Sequence, residues 1–310
     1  MLNVGRLQVL HVVAKLGSLT AAASELNYTT SSVSQQISLL ERETESRLLE
    51  RHPRGVKLTE SGRVLAGHAG TVLADLRAAE AALTAVNRGQ AGRLRFGSFP
   101  TANAVLMPQA VAAFQASHPH VSLELAELDR DEGLAAVGSH DLDLALVYEF
   151  PVVPITVAEG VETVPLLVDP LHIMLARDHP LASRGTLSLT DLADQRWIQG
   201  VHHGSTMNVL PQACHMAGFE PDILFRTDDQ VTVRGLVAAG IGVALAPWLA
   251  LSMLPSGVIA RPLDEPTLIR TVLAALPVTG HRLPAAEVMV DTLSTISEEL
   301  GTAPAMRRRG

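Results

Sequence analysis

Residues 29–42 read Thr29-Thr30-Ser31-Ser32-Val33-Ser34-Gln35-Gln36-Ile37-Ser38-Leu39-Leu40-Glu41-Arg42. Thr29 is a good N-cap, because its hydroxyl can accept an amide that the first helical turn leaves free. Val33, Ile37 and Leu40 stand at i, i+4 and i+7 and form one apolar stripe. Ser31, Ser34, Gln35, Ser38 and Arg42 form the opposite side, which is small, polar and rich in hydroxyl and amide groups. Such a face can enter a major groove and hydrogen-bond to bases and phosphates. Taken alone, a solvated helix face is the competing reading.

The flanking chain decides between the two. Upstream, Leu7, Leu10 and Val13 share a helical face that Gly17 ends. Ser18 or Thr20 caps a second short helix carrying Ala22, Ala23 and Leu26, and Asn27-Tyr28 makes the turn into the third. Downstream, Leu49–Thr59 has strand-like flanks around a Pro/Gly turn and holds Arg51, Arg54 and Lys57. Helix, tight turn, helix and basic hairpin together describe a winged helix-turn-helix. Arg51 and Lys57 would grip phosphates, with Arg54 at the wing tip reaching a minor groove. A surface hairpin that is merely basic is the alternative.

A long helix over about Glu60–Arg88 follows. Leu65, Val72, Ala79 and Val86 repeat every seven residues, with Ala69, Leu76 and Leu83 between them. This heptad seam favours a partner helix over packing on its own body, with Leu65, Val72, Leu76, Leu83 and Val86 as the dimerisation residues. Asn87–Gly92 breaks it as a linker. From Arg93 the pattern alternates. The strands fall at 94–98, 121–127 and 142–148, with helices at 103–117 and 132–138. This βαβαβ order predicts a parallel sheet covered by helices. A second set follows, with strands at 171–176, 196–200, 222–226 and 242–246 and helices near 189–194, 205–217 and 229–239. A return strand near 267–276 and a last helix over 284–300 complete an α/β multi-domain chain. The arginines of the tail, Met306–Gly310, read as solvated.

Composition sets the bounds. The 310 residues are 47% apolar and 18% charged, which suits a sizeable packed core and excludes disorder as the main state. A lone cysteine, Cys214, excludes an internal disulfide and any multi-cysteine metal cluster, and fits a reducing, cytoplasmic setting. The net charge of -8 hides a split. Residues 1–92 carry ten Lys/Arg against eight Asp/Glu, whereas the remainder carries fourteen against twenty-four. The head alone is therefore expected to meet a polyanion. The N-terminus lacks the charged start, apolar core and cleavage site of a signal peptide. The uncharged run Gly235–Ala260 is interrupted by glycine and proline, so it reads as helix, turn, buried strand and short helix, with no membrane span.

The chain resembles the LysR-type transcriptional regulators. The resemblance rests on Gly17-Ser18-Leu19-Thr20-Ala21-Ala22-Ala23, Val33-Ser34-Gln35-Gln36-Ile37, Leu40-Glu41, Arg47-Leu48-Leu49-Glu50-Arg51 and Leu58-Thr59-Glu60-Ser61-Gly62. Leu236–Pro247 is similar to that family's effector-domain signature. The resemblance implies a winged helix-turn-helix, a dimerising linker helix and a two-lobed α/β effector domain like a periplasmic binding protein. It also implies double-stranded operator DNA, a small-molecule effector between the lobes, self-association to a dimer and on to a homotetramer, and contact with RNA polymerase. The divisions are then 1–59 for DNA binding, 60–92 for the linker helix and linker, 93–301 for the effector domain and 302–310 for a flexible tail. Within the effector domain, lobe 1 is 93–163 with 265–301, and lobe 2 is 164–264. Four positions depart from the family. Thr30-Ser31 replaces Gln-Pro and Gln35 replaces Arg at positions that face bases, so Thr30 joins the DNA-facing set. Gln35 is suited to the N6/N7 edge of adenine. Glu45 stands where the family ends the helix with glycine, which requires a left-handed Glu or a different turn.

Ligands of such α/β lobes lie at strand C-termini, where helix N-termini converge. Ser98, Phe99, Thr101 and Ala102 join the first strand of lobe 1 to its helix, with plain helix capping as the alternative. His202 and His203 sit at the matching junction of lobe 2. Tyr148, Glu149, Thr227 and Asp228 are further candidates, the two acids suiting a cationic or hydroxyl-bearing effector. Neighbouring histidines without a third ligand do not make a metal site, and no cofactor is expected. Gly240-Ile241-Gly242 lacks the rest of a dinucleotide fingerprint and precedes a strand, so it reads as a turn. Cys214 reads as packing. Two other classes remain: a ligand sensor whose head binds a protein, and an enzyme on the α/β lobes.

Overall fold

The computed structural model describes residues 2–52, 55–88, 92–151, 155–157, 160–200, 209–264, 268–278 and 282–301. The chain divides into two compact units. One is built on Met1–Arg93 with Ser139–Asp141 and Thr279–Leu283, and the other on the remainder.

The first unit opens with three helices, α1 (Val4–Leu16), α2 (Leu19–Glu25) and α3 (Thr30–Glu43). Each N-terminus is capped by the side chain just before it. Asn3 accepts the Arg6 amide at 3.2 Å, Ser18 that of Ala21 at 3.3 Å, and Thr29 that of Ser32 at 3.1 Å. Gly17 ends α1 at φ 60°, the left-handed region that glycine enters without penalty. The apolar faces of the three helices meet in one core of Leu7, Leu10, Val13, Ala22, Ala23, Val33, Ile37 and Leu40. Each large side chain buried there contributes about 1.5–3 kcal/mol. The wing is an antiparallel pair, β1 (Leu49–His52) and β2 (Gly55–Leu58), with Glu50 opposite Lys57. The Glu41 carboxylate holds its start by accepting the amides of Leu48 at 2.8 Å and Leu49 at 3.3 Å. Helix α4 (Glu60–Arg88) follows, its first turn capped by Thr59. A Cβ on Gly62 would stand 2.1 Å from the Leu48 carbonyl oxygen, so only glycine fits beside the wing.

The second unit carries β3 (Arg93–Ser98), α5 (Pro100–Ser117), β4 (Ser122–Glu127), α6 (Arg130–Gly138), β5 (Leu144–Glu149) and β6 (Val161–Ala176). Then come β7 (Arg196–Gln199), α7 (Val209–Met216), β8 (Asp222–Arg226), α8 (Gln230–Ala238), β9 (Ala244–Pro247), β10 (Val258–Pro262), β11 (Ile269–Pro277) and α9 (Pro284–Gly301). One sheet runs β10-β6-β11-β5-β3-β4 with β9 on β6, and β7-β8 form a second.

The parallel course expected of the βαβαβ run holds for β3 and β5, but the sheet as a whole is mixed. The pairs β3-β5 and β7-β8 are parallel, but β6 and β11 run antiparallel to each other, and each runs antiparallel to its other partners. These two long strands carry the chain between two separate cores. One packs α6 on β5 and on the ends of β6 and β11, through Leu134, Val137, Val147 and Leu273. The other packs α8 on the far end of β6 and on β7, β9 and β10, through Met174, Ile198, Val233 and Val237. Three elements differ from expectation. Strand β6 begins ten residues before the predicted 171, the segment near 189–194 is a 3-10 turn (Leu189–Leu192), and β10 stands where none was expected. Among the described residues, no helix is long and apolar enough to cross a membrane.

Candidate functional site

The polar side of α3 is open. Thr30, Ser31, Gln35, Ser38 and Arg42 are exposed and Ser34 is half-buried, while Val33, Ile37 and Leu40 face the core. The Ser31 and Thr29 hydroxyls are 2.9 Å apart, which ties the first turn to its cap. From α1, Arg6 donates to Gln36 at 3.3 Å and pairs with Glu43, so the helix is braced along its flank. Lys57 is exposed on β2. Arg54 and the Arg51 side chain lie outside the described residues.

On α4, Ala66 and Ala69 are buried in the head's own core and Leu65 packs partly against it. Ala69 is thus taken up by the head, whereas Leu65 is only half-buried and keeps apolar surface outside it. Further along, Val72 and Leu76 are 39% and 42% exposed and present apolar surface to whatever lies beside the helix. The side chains of Leu83 and Val86 lie outside the described residues.

In the second unit, a cavity of about 320 Å³ opens at the C-terminal ends of β3, β5 and β7, beside the N-termini of α5 and α8. Of the effector-site candidates named from the sequence, Phe99, Thr101, Tyr148, Thr227 and Asp228 line it. Ser98, Ala102 and Glu149 do not line it. Ala102 faces the core, being fully buried, and Glu149 lies across from Thr271 in the sheet. The Ser98 hydroxyl is buried with no hydrogen-bond partner among the described residues. His202 and His203 lie outside the described residues. Capping is not the role of these hydroxyls, because the N-cap residue of α5 is Phe99 and no side chain caps the helix. Thr101 Oγ1 instead accepts from Arg270 Nη2 at 2.9 Å.

Arg270 is the residue that sequence reasoning missed. It projects from β11, is 5% exposed, and lies directly across the sheet from Asp169, which is fully buried on β6. Its Nε donates to Asp169 Oδ2 at 3.0 Å, and Asp169 Oδ1 accepts the Leu249 amide at 3.1 Å. The guanidinium lies 4.9 Å from the Phe99 ring centre and 5.1 Å from that of Tyr148, so two π faces hold it as well. Glu127, Asp129, Glu132 and Gln230 complete the polar lining. A smaller apolar recess of about 100 Å³, with Phe150, Leu171, Val209 and Leu210, shares the Tyr148 and Arg270 wall. The signal was present: Arg270 is the one charge within Leu268–Pro277, and Asp169 is the matching charge in Val164–Leu171.

Cys214 is fully buried on α7. Burial first, then the charge of Glu220, pushes its thiol up to about 12. That is opposite to the electropositive setting that makes a cysteine reactive.

Comparisons with known proteins place the chain. The profile described as the bacterial regulatory helix-turn-helix protein, lysR family, matches residues 4–63, and that of the LysR substrate binding domain matches residues 87–296. The hydrogen peroxide-inducible genes activator of Dickeya chrysanthemi is 28% identical over 273 residues, 87% of this chain and 88% of the relative. The DNA-binding transcriptional dual regulator OxyR of Escherichia coli K12 is 29% identical over 276 residues, 87% and 88% of the two chains. These relatives are transcriptional regulators, not enzymes. Among solved structures, a full-length OxyR variant from Pseudomonas aeruginosa superposes with a TM-score of 0.75 at 22% identity, covering 94% of this chain and 95% of that one. Full-length CbnR complexed with its target DNA gives 0.62 at 20% identity, over 95% and 100%. The two profiles together span the helical head and most of the α/β unit, so the chain belongs to the LysR family of DNA-binding transcriptional regulators.

Proposed function

We propose that this regulator reads its operator with Thr30, Ser31, Ser34, Gln35, Ser38 and Arg42 of α3. In this reading Arg51, Arg54 and Lys57 of the wing hold phosphates. The observation that carries it is the exposed hydroxyl and amide face of α3, braced by the Thr29 cap and by Arg6. Residues 1–59 form the DNA-binding part, 60–92 the linker helix and linker, and 93–301 the effector part, in the cytoplasm. The exposed Val72 and Leu76, with Leu65, Leu83 and Val86, pair α4 with the same helix of a second copy, and pairs of dimers build a tetramer. RNA polymerase is the protein partner.

We infer that the cavity lined by Phe99, Thr101, Tyr148, Thr227 and Asp228 takes a small-molecule effector, and that Ser98, Ala102, Glu149, His202 and His203 belong to the effector-binding set. Relatives are named for hydrogen peroxide, but a reactive thiol is not how this chain would be addressed. Its one cysteine cannot form an internal disulfide and its thiol is buried and strongly protonated. The effector acts by binding two states of the assembly with different affinity, since equal affinity shifts nothing.

The test is anisotropy of the purified chain on the DNA upstream of its own gene and on random DNA, across a salt series. Preference for the upstream DNA with steep loss at higher salt is expected. Gln35→Ala is expected to cost about 1–3 kcal/mol on the upstream DNA and nothing on random DNA. Equal loss on both would remove Gln35 from base reading, and absence of binding to either would overturn the DNA-reading assignment of α3.

A further inference from the structure

The helix that faces the bases and the hairpin that follows it are separate elements, and few polar groups set one against the other. The wing is held from three sides. At its base the Thr59 amide donates to the Leu48 carbonyl at 3.0 Å. The Thr59 hydroxyl donates to the Arg47 carbonyl at 2.7 Å and accepts the Gly62 amide of α4 at 3.0 Å. On β2 the Val56 amide donates to the Gly17 carbonyl, at the end of α1, at 3.2 Å. The third side is α3 itself, where a single oxygen, Glu41 Oε1, accepts the amides of both Leu48 and Leu49. Among the described residues, these two are the hydrogen bonds that run from α3 to the start of the wing.

Glu41 is half-buried in the last turn of α3, next to the exposed Arg42. It grips the chain twice. Its carbonyl takes the Ser46 amide at 3.1 Å and closes the turn that ends the helix, while its carboxylate begins the wing. Amides donated to an ionised carboxylate are among the stronger hydrogen bonds. The hold matters because the wing is a lever. Each strand has four residues, and at about 3.4 Å per residue its far end lies about 13 Å from its base. A swing of about ten degrees at the base moves the far end by about 2 Å, more than a hydrogen bond to a phosphate tolerates. We propose that Glu41 is a positioning residue for DNA binding: its carboxylate fixes the phosphate-gripping wing against the base-reading face of α3. This rests on the reading of Arg51, Arg54 and Lys57 as phosphate contacts.

The test uses the full chain and reads the slope of log affinity against log salt on the upstream DNA, which counts the phosphates neutralised. A head that is only less stable binds with a smaller active fraction but keeps its slope. Two variants separate reach from charge. Glu41→Gln keeps an acceptor oxygen in place and removes the charge, whereas Glu41→Asp keeps the charge and withdraws it by one methylene. Glu41→Gln is expected to keep the wild-type slope. Glu41→Asp is expected to make it shallower by about 0.9 for each wing phosphate lost. Lys57→Ala should make the wild-type slope shallower by about 0.9 per head and add nothing in the Glu41→Asp background, since the two act on one contact. Circular dichroism checks that each variant is folded, and Glu41→Ala takes the place of Glu41→Asp should that variant fail to fold. A shallower slope in Glu41→Gln, an unchanged slope in Glu41→Asp, or a Lys57→Ala effect equal in both backgrounds overturns the positioning role and leaves the wing contacts standing. Failure of both Glu41→Asp and Glu41→Ala to fold makes Glu41 a residue of the fold alone and also overturns it. A Lys57→Ala variant with the wild-type slope, or no binding of the wild type to the upstream DNA, overturns the reading of the wing and this inference with it.

Discussion

Glu45 holds φ 50°, the left-handed region, just after α3 ends. The Ser46 amide closes the turn onto the Glu41 carbonyl at 3.1 Å, so the chain must turn at that residue. A Cβ there costs about 1–2 kcal/mol, and glycine pays part of that back through its freer unfolded chain. Glu45→Gly is expected to stabilise the head by about 1 kcal/mol in urea denaturation. A loss of stability would mean that the Glu45 side chain contributes more than its backbone costs. At Cys214 the expectation concerns reactivity. A neutral-pH alkylating reagent should modify the native chain only after denaturant is added, because the thiol is buried and pushed up to about 12; stoichiometric labelling of native protein would refute this. Single residues were legible where local chemistry dictates them, as with Thr29, Ser18 and Gly17, whereas the left-handed Glu45 was suggested only by the family resemblance. Arg270 and Asp169 were not legible in this way, because their meaning lies in being opposite each other on strands about a hundred residues apart, and no local pattern states that.

The elements divide along the same line. Helix α4 was readable from its heptads, and the structure refines the reading: Ala69 is consumed by the head's core, whereas Val72 and Leu76 stay exposed. Leu76→Glu places a charge in the middle of the proposed seam, where burial without a partner is strongly unfavourable. Sedimentation velocity is expected to show the variant as a monomer at concentrations where the wild type is at least a dimer. An unchanged profile would assign the exposed stripe to something other than self-association. Strand β6 was half legible. Pro165 and Pro170 argue against a strand in sequence, yet β6 runs through both, with the pairing to β11 shifting between Val272 and Leu273. The antiparallel course of β6 and β11 escaped for a related reason. A βαβ pattern reports the strands that helices connect, and these two are joined across nearly a hundred residues.

At the scale of the whole chain, the buried pair on β6 and β11 has a structural role and, through Arg270 in the cavity wall, a proposed role in recognition, and the two can be separated. Asp169 is fully buried and accepts from Arg270 and from the Leu249 amide, so it fastens β11 and the turn after β9 to β6. Removing one partner leaves an uncompensated charge in the interior, which costs roughly 3–5 kcal/mol. Arg270→Met is therefore expected to destabilise the α/β unit by about that amount and leave the capped helical head unaffected. The double change Asp169→Leu with Arg270→Met removes both charges, and such exchanges are often neutral or stabilising by roughly 1–4 kcal/mol. Calorimetry should thus find the single variant with a lowered transition and the double variant restored to or above the wild type. The double variant is folded but has lost the Arg270 guanidinium from the cavity wall, so it is expected to bind DNA normally and respond to no effector. A double variant as unstable as the single one would show that the Leu249 amide and Thr101 hydroxyl, left without acceptor and donor, matter more than the charge. A double variant that still responds would take Arg270 out of recognition and leave it a purely structural clasp.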